Sequence, residues 1–154
     1  MSTILPTWPH VVFAIIEPIT LIAGWSLPYV DLPYFINEQT PNTPGPSTIH
    51  PSSIALAYQL SNLYGLLFFL GVAICYSTSE PKVLRRYLAC LTLADAGHVG
   101  LTASAMGWDA FVDVGSWNAL VWGNVGITSF LLLNRLAYFA GVFGEARVES
   151  VKAD

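Results

Sequence analysis

A chain of 154 residues that is 54% hydrophobic and only 10% charged departs from soluble domains, in which about a quarter of residues are charged. Its mean hydropathy of +0.56 points to an integral membrane protein the length of one domain. Six basic residues against ten acidic ones, net charge −4, form no continuous basic patch and exclude nucleic acid as a partner.

The N-terminus has no basic leader, and Glu17-Pro18 interrupts its apolar run, so a retained helix is expected, not a cleaved signal peptide. The first span runs from about Val11 to Pro28. Pro18 denies the carbonyl of Ala14 its hydrogen bond and should bend the helix. His10, Phe13, Glu17, Thr20 and Gly24 share one side. Trp25 and Tyr29 suit an interfacial aromatic belt. Residues 30–52 read as a loop dense in proline (Pro33, Pro41, Pro44, Pro46, Pro51), either a cap over one end of a bundle or a surface loop. Asp31 to Ile36 can lie at the interface.

The second span is about Ser53 to Tyr76, with Gln59 and Asn62 on one face beside Ala55 and Leu66. A basic connector, Glu80 to Arg86, leads to the third span, Tyr87 to Met106. Asp95 and His98 lie near its middle, three residues apart and so on one face with Thr102. Charged groups at that depth usually turn toward a bundle interior or a wet cavity. About a third of a turn away lie Ala89, Ala96, Gly100, Ala103 and Gly107, a small-residue face that would admit a neighbouring helix or a second copy in a homodimer. The connector with Trp108, Asp109 and Asp113 leads to a fourth span, about Trp117 to Phe139. Trp117, Asn124, Thr128, Arg135 and Tyr138 form its polar stripe. A polar tail, Glu145 to Asp154, closes the chain.

These patterns predict an all-α bundle of four transmembrane helices forming a single domain over residues 1–154. Lys82, Arg85 and Arg86 lie in one connector, and Arg135, Arg147 and Lys152 lie at or beyond the end of the fourth span. The positive-inside rule then puts both termini in the cytosol and the Pro-rich loop in a lumen. An endoplasmic reticulum membrane is the expected location. Cys75 and Cys90 read as free thiols near the cytosolic ends.

Each span thus carries a polar stripe. Counting 1.5 Å per residue, Glu17 lies about 10 Å and Asp95 about 12 Å from the cytosolic boundary, with Gln59, Asn62 and Asn124 about as far from the other. They would converge on one mid-membrane cavity. The structural alternative stays open for each. Gln59, Asn62 and Asn124 would bond neighbouring helices, and Asp95–His98 would be a neutral packing pair. Glu17 would bond a carbonyl freed by Pro18, and Arg135 would be an interfacial cation paired with it. On the catalytic reading, Asp95 is the base, His98 orients it or shuttles its proton, and Glu17 is the acid. Gln59, Asn62 and Asn124 hold water or substrate oxygens, and Trp122 walls the pocket. No metal signature, phosphate loop or nucleophile elbow is read, and no cofactor is expected.

Phe13-Ala14-Ile15-Ile16-Glu17-Pro18, Gln59-Leu60-Ser61-Asn62-Leu63-Tyr64, Asp95-Ala96-Gly97-His98 and Trp122-Gly123-Asn124-Val125-Gly126 resemble segments of a family of small fungal integral membrane proteins with no assigned function. That family is similar to the small membrane epoxide hydrolases of aurovertin- and citreoviridin-type polyketide pathways. The resemblance implies a lipophilic epoxide substrate in secondary metabolism, opened by water or an internal hydroxyl. A second analogy is to the larger fungal membrane terpene cyclases, which this chain is too short to match. The rival expectations are a lipid- or partner-binding membrane protein without catalysis, and a double-bond isomerase.

Overall fold

The computed structural model describes residues 3–40, 45–46 and 48–144. Among them the chain forms helices and no strand. In order these are α1 (Thr7–Val30), α2 (Leu32–Asn37), α3 (Pro51–Ser77), α4 (Pro81–Met106), α5 (Trp108–Val112) and α6 (Ala119–Phe139). Among the described residues α1, α3 and α6 are long and apolar enough to cross a membrane. α4 has the length, at 26 residues, but with Asp95 and His98 in its middle it is not apolar enough to join them. Pro41, Pro44 and the tail, with Arg147 and Lys152, lie outside the described residues.

Two expected loops are partly helical. The basic connector is the opening of α4, with Pro81 in its first turn, where a missing N–H leaves no bond unmade. Within the Pro-rich loop, Asp31 Oδ1 accepts the Tyr34 N–H at 2.9 Å and starts α2. Pro33 sits in that first turn, again where proline fits. α3 begins at Pro51, capped by the His50 ring, which accepts the Ser52 N–H at 3.2 Å.

The long helices pack as two pairs. α1 lies on α3, where Trp25 stacks on Phe68 and meets Phe69 edge-on. The Trp25 indole lies directly on Gly65, where a Cβ would stand 2.9 Å from it. Ser61 Oγ donates to the Trp25 carbonyl at 2.6 Å. α4 lies on α6. The pairs join at one end through a shared core of Leu5, Val12, Phe13, Ala14, Cys75, Leu84, Leu88, Leu131 and Tyr138. Cys75 is buried, Cys90 is exposed, and both are free thiols.

The faces of α4 are used the other way round from the sequence expectation. Its packed side is the one bearing Leu84, Leu88, Leu91 and Asp95. Ala89, Ala96, Gly100 and Gly107 are exposed, and a Cβ at Gly97 or Gly100 would meet nothing within 4 Å. Within the described chain, no helix fills the small-residue face. The reason is electrostatic: Asp95 bonds Arg135 of α6 and so fixes which side of α4 turns inward.

Candidate active site

The site begins with Pro18. Its ring nitrogen cannot donate to the Ala14 carbonyl, and the segment just before it, Val11–Ile16, is wound as π-helix. The hydroxyl of Tyr76, on α3, donates to Ala14 O at 3.1 Å and satisfies the freed carbonyl. His10 Nε2 lies 3.3 Å from that hydroxyl. Glu17 is therefore not the group that bonds the carbonyl freed by the proline.

Arg135 bonds Glu17 instead. Its Nη2 donates to Glu17 Oε1 and its Nη1 donates to Asp95 Oδ2, so one guanidinium joins α1, α4 and α6. Arg135 is fully buried, with the two carboxyl side chains 10% and 13% exposed. Its guanidinium carbon stands 5.3 Å from the centre of the Phe13 ring, an added cation–π contact. Its Nε makes no hydrogen bond among the described residues. The sequence reading of Arg135 as an interfacial cation is corrected, although its pairing with Glu17 holds. The side chain reaches inward because two acids await it there and a lipid-facing course would leave them unpaired. Fully ionised, the cluster carries a net charge of −1, and a single proton makes it neutral.

His98 lies one turn along α4 from Asp95, about 4.5 Å further along the helix axis. It lines an open cleft of about 280 Å³ between α3 and α4. Leu60 and Tyr64 form one wall, and His98, Leu101, Thr102 and Ala105 the other, with Asn124, Gln39 and Thr40 completing it. Asn124 sits in a second π-helical segment, Trp122–Ile127, a feature frequent at functional sites. Its Nδ2 donates to Gln39 Oε1 at 2.9 Å, and it lines the cleft together with His98. Nearby, Asn118 Nδ2 donates to Glu38 Oε2 at 2.8 Å, which ties the segment after α2 across this end of the molecule. Gln39 and Thr40 of that segment border the cleft, while residues 41–44 and 47 of the Pro-rich stretch lie outside the described residues.

The sequence-derived set therefore divides. Glu17 and Asp95 meet at Arg135; His98 and Asn124 meet at the cleft. Gln59 and Asn62 are brought to neither, because both are exposed on the outward side of α3. Trp122 is half-exposed and packs edge-on against Trp117 at 5.1 Å, outside the cleft lining. Sequence reasoning missed Gln39, Tyr64 and Tyr76. Only for Tyr76 was there a signal, namely the unpaired carbonyl that Pro18 creates.

Residues 2–145 match the family described as a domain of unknown function, DUF7704. The chain belongs to that family. No curated protein and no solved structure matches it. Membership covers nearly the whole DUF7704 chain but brings no activity with it, and no match links it to epoxide hydrolases.

Proposed function

We propose that this DUF7704 protein is a membrane-embedded biosynthetic enzyme that opens epoxides of a lipophilic polyketide or terpenoid intermediate by acid/base catalysis. One observation carries the reading: Glu17 and Asp95 share one buried guanidinium, and Asp95 stands one helical turn from an imidazole that lines an open cleft. In this reading α4 is a fourth span, both termini face the cytosol, and the cleft opens toward the lumen of the endoplasmic reticulum.

Epoxide opening breaks a C–O bond, places a proton on the departing oxygen and removes one from the attacking water or hydroxyl. A cluster with one proton on two carboxyls can give a proton from one acid and take one at the other; a proton passing back from Asp95 to Glu17 within the cluster then restores the starting state. Glu17 is assigned the acid and Asp95 the base. His98, the member that lines the cleft, carries the proton between Asp95 and the nucleophile. Asn124 and Gln39 hold the substrate oxygens, and the apolar walls of Leu60, Leu101 and Ala105 suit a lipophilic chain.

A second reading has its own support. Arg135 bonds both acids, as an interhelical clamp would in a membrane protein that binds lipid or a partner without catalysis. Turnover separates the two. Purified protein in lipid discs, supplied with a panel of lipophilic polyene epoxides, is expected to form diols or cyclic ethers. Asp95→Asn and Glu17→Gln should each lower turnover at least about a hundredfold while the protein stays folded. If both variants turn over at the wild-type rate, or no epoxide is consumed, the clamp reading stands and the catalytic one is wrong.

A further inference from the structure

We propose that the outward face of α3 is a homodimer interface centred on Gln59 and Asn62. Both side chains are exposed and make no hydrogen bond among the described residues. They lie about 12 and 17 Å along α3 from its start, deep enough to stand within the hydrocarbon layer. Lipid tails offer no partner to a carboxamide, and an amide left unbonded there is costly.

The chemistry of the pair selects the occupant. A carboxamide carries both a donor and an acceptor, so it complements another copy of itself without introducing charge. Two copies inserted in the same orientation are related by a two-fold axis along the membrane normal. On that axis Gln59 meets Gln59 of the second copy, and Asn62 meets Asn62. The flanking outward positions are Ala55, Leu66, Phe69 and Ala73, all exposed. Ala55, one turn before Gln59, lets the backbones approach at the end of the face where the amides stand, and Leu66 and Phe69 supply apolar contact beyond them. This face is distinct from the small-residue face of α4, which has no polar group at that depth to specify a register. It is also separate from the cleft, so a dimer would leave the proposed chemistry in each copy intact.

The test uses the full chain in lipid discs, with mass and oligomeric state measured as lipid is added in excess. The wild type is expected to be dimeric. Gln59→Leu combined with Asn62→Leu should weaken dimerisation at least about tenfold and leave the thermal midpoint of the monomer unchanged or higher. In a Cys90→Ser background, Asn62→Cys should cross-link one copy to another and Gly100→Cys should not. A monomeric wild type, a double variant that dimerises as tightly as before, or cross-linking through Gly100 alone would overturn the proposal.

Discussion

One hydrogen-bond obligation set by a single residue organises the end of the molecule where the helix pairs join. Pro18 leaves the Ala14 carbonyl without its helical donor, and Tyr76 supplies one from another helix. Tyr76→Phe removes that donor and keeps the ring, so it should lower unfolding free energy by about 1–3 kcal/mol, the cost of an unsatisfied buried acceptor. Unfolding in mixed micelles measures it, and an unchanged midpoint would mean that water or another donor takes the carbonyl. Pro18→Ala in the Tyr76→Phe background restores a backbone N–H and should recover most of the loss. The proline's demand was legible in the sequence because the i→i−4 rule is local. The donor was not, because it lies 62 residues away.

At the scale of elements, helical spacing predicted the long helices and their approximate bounds but not their rotation. On α3, Ser61 is buried against α1 while Gln59 and Asn62, its near neighbours, face outward. Hydropathy cannot choose between polar positions one or two residues apart; contacts with Trp25 and Gly65 do. On α4 the polar stripe and the small-residue stripe were both legible, and which of them packs was decided by Arg135, a residue 40 positions from Asp95. The Trp25 indole lying on Gly65 gives a second prediction. Gly65→Leu forces side-chain volume into the Trp25 indole and should cost about 1–3 kcal/mol as overpacking, read from the same unfolding assay. A third concerns the cleft between α3 and α4. Ala105→Trp would fill it from the α4 wall, away from the Glu17–Arg135–Asp95 cluster. It should abolish binding of a lipophilic ligand while leaving stability nearly unchanged. Ligand affinity equal to wild type would place the binding site elsewhere.

Over the whole molecule, two helix pairs are held as one body by a shared core at one end and a three-helix ion cluster within it. Among the described residues Lys82, Arg85 and Arg86 open α4 beside core residues Leu84 and Leu88 at that same end, which supports the orientation proposed for the chain. A glycosylation site inserted at residues 40–46 should be modified and one appended to the tail should not; the reverse pattern would invert the topology. The cluster itself tests most directly. Arg135→Met alone leaves two carboxyls buried without their cation and should cost about 3–5 kcal/mol of unfolding free energy. Arg135→Met combined with Glu17→Gln and Asp95→Asn removes the charges together and should recover most of that loss. If the triple variant is as unstable as Arg135→Met alone, the two acids are not held by Arg135 in the folded protein, and the site built on them does not exist.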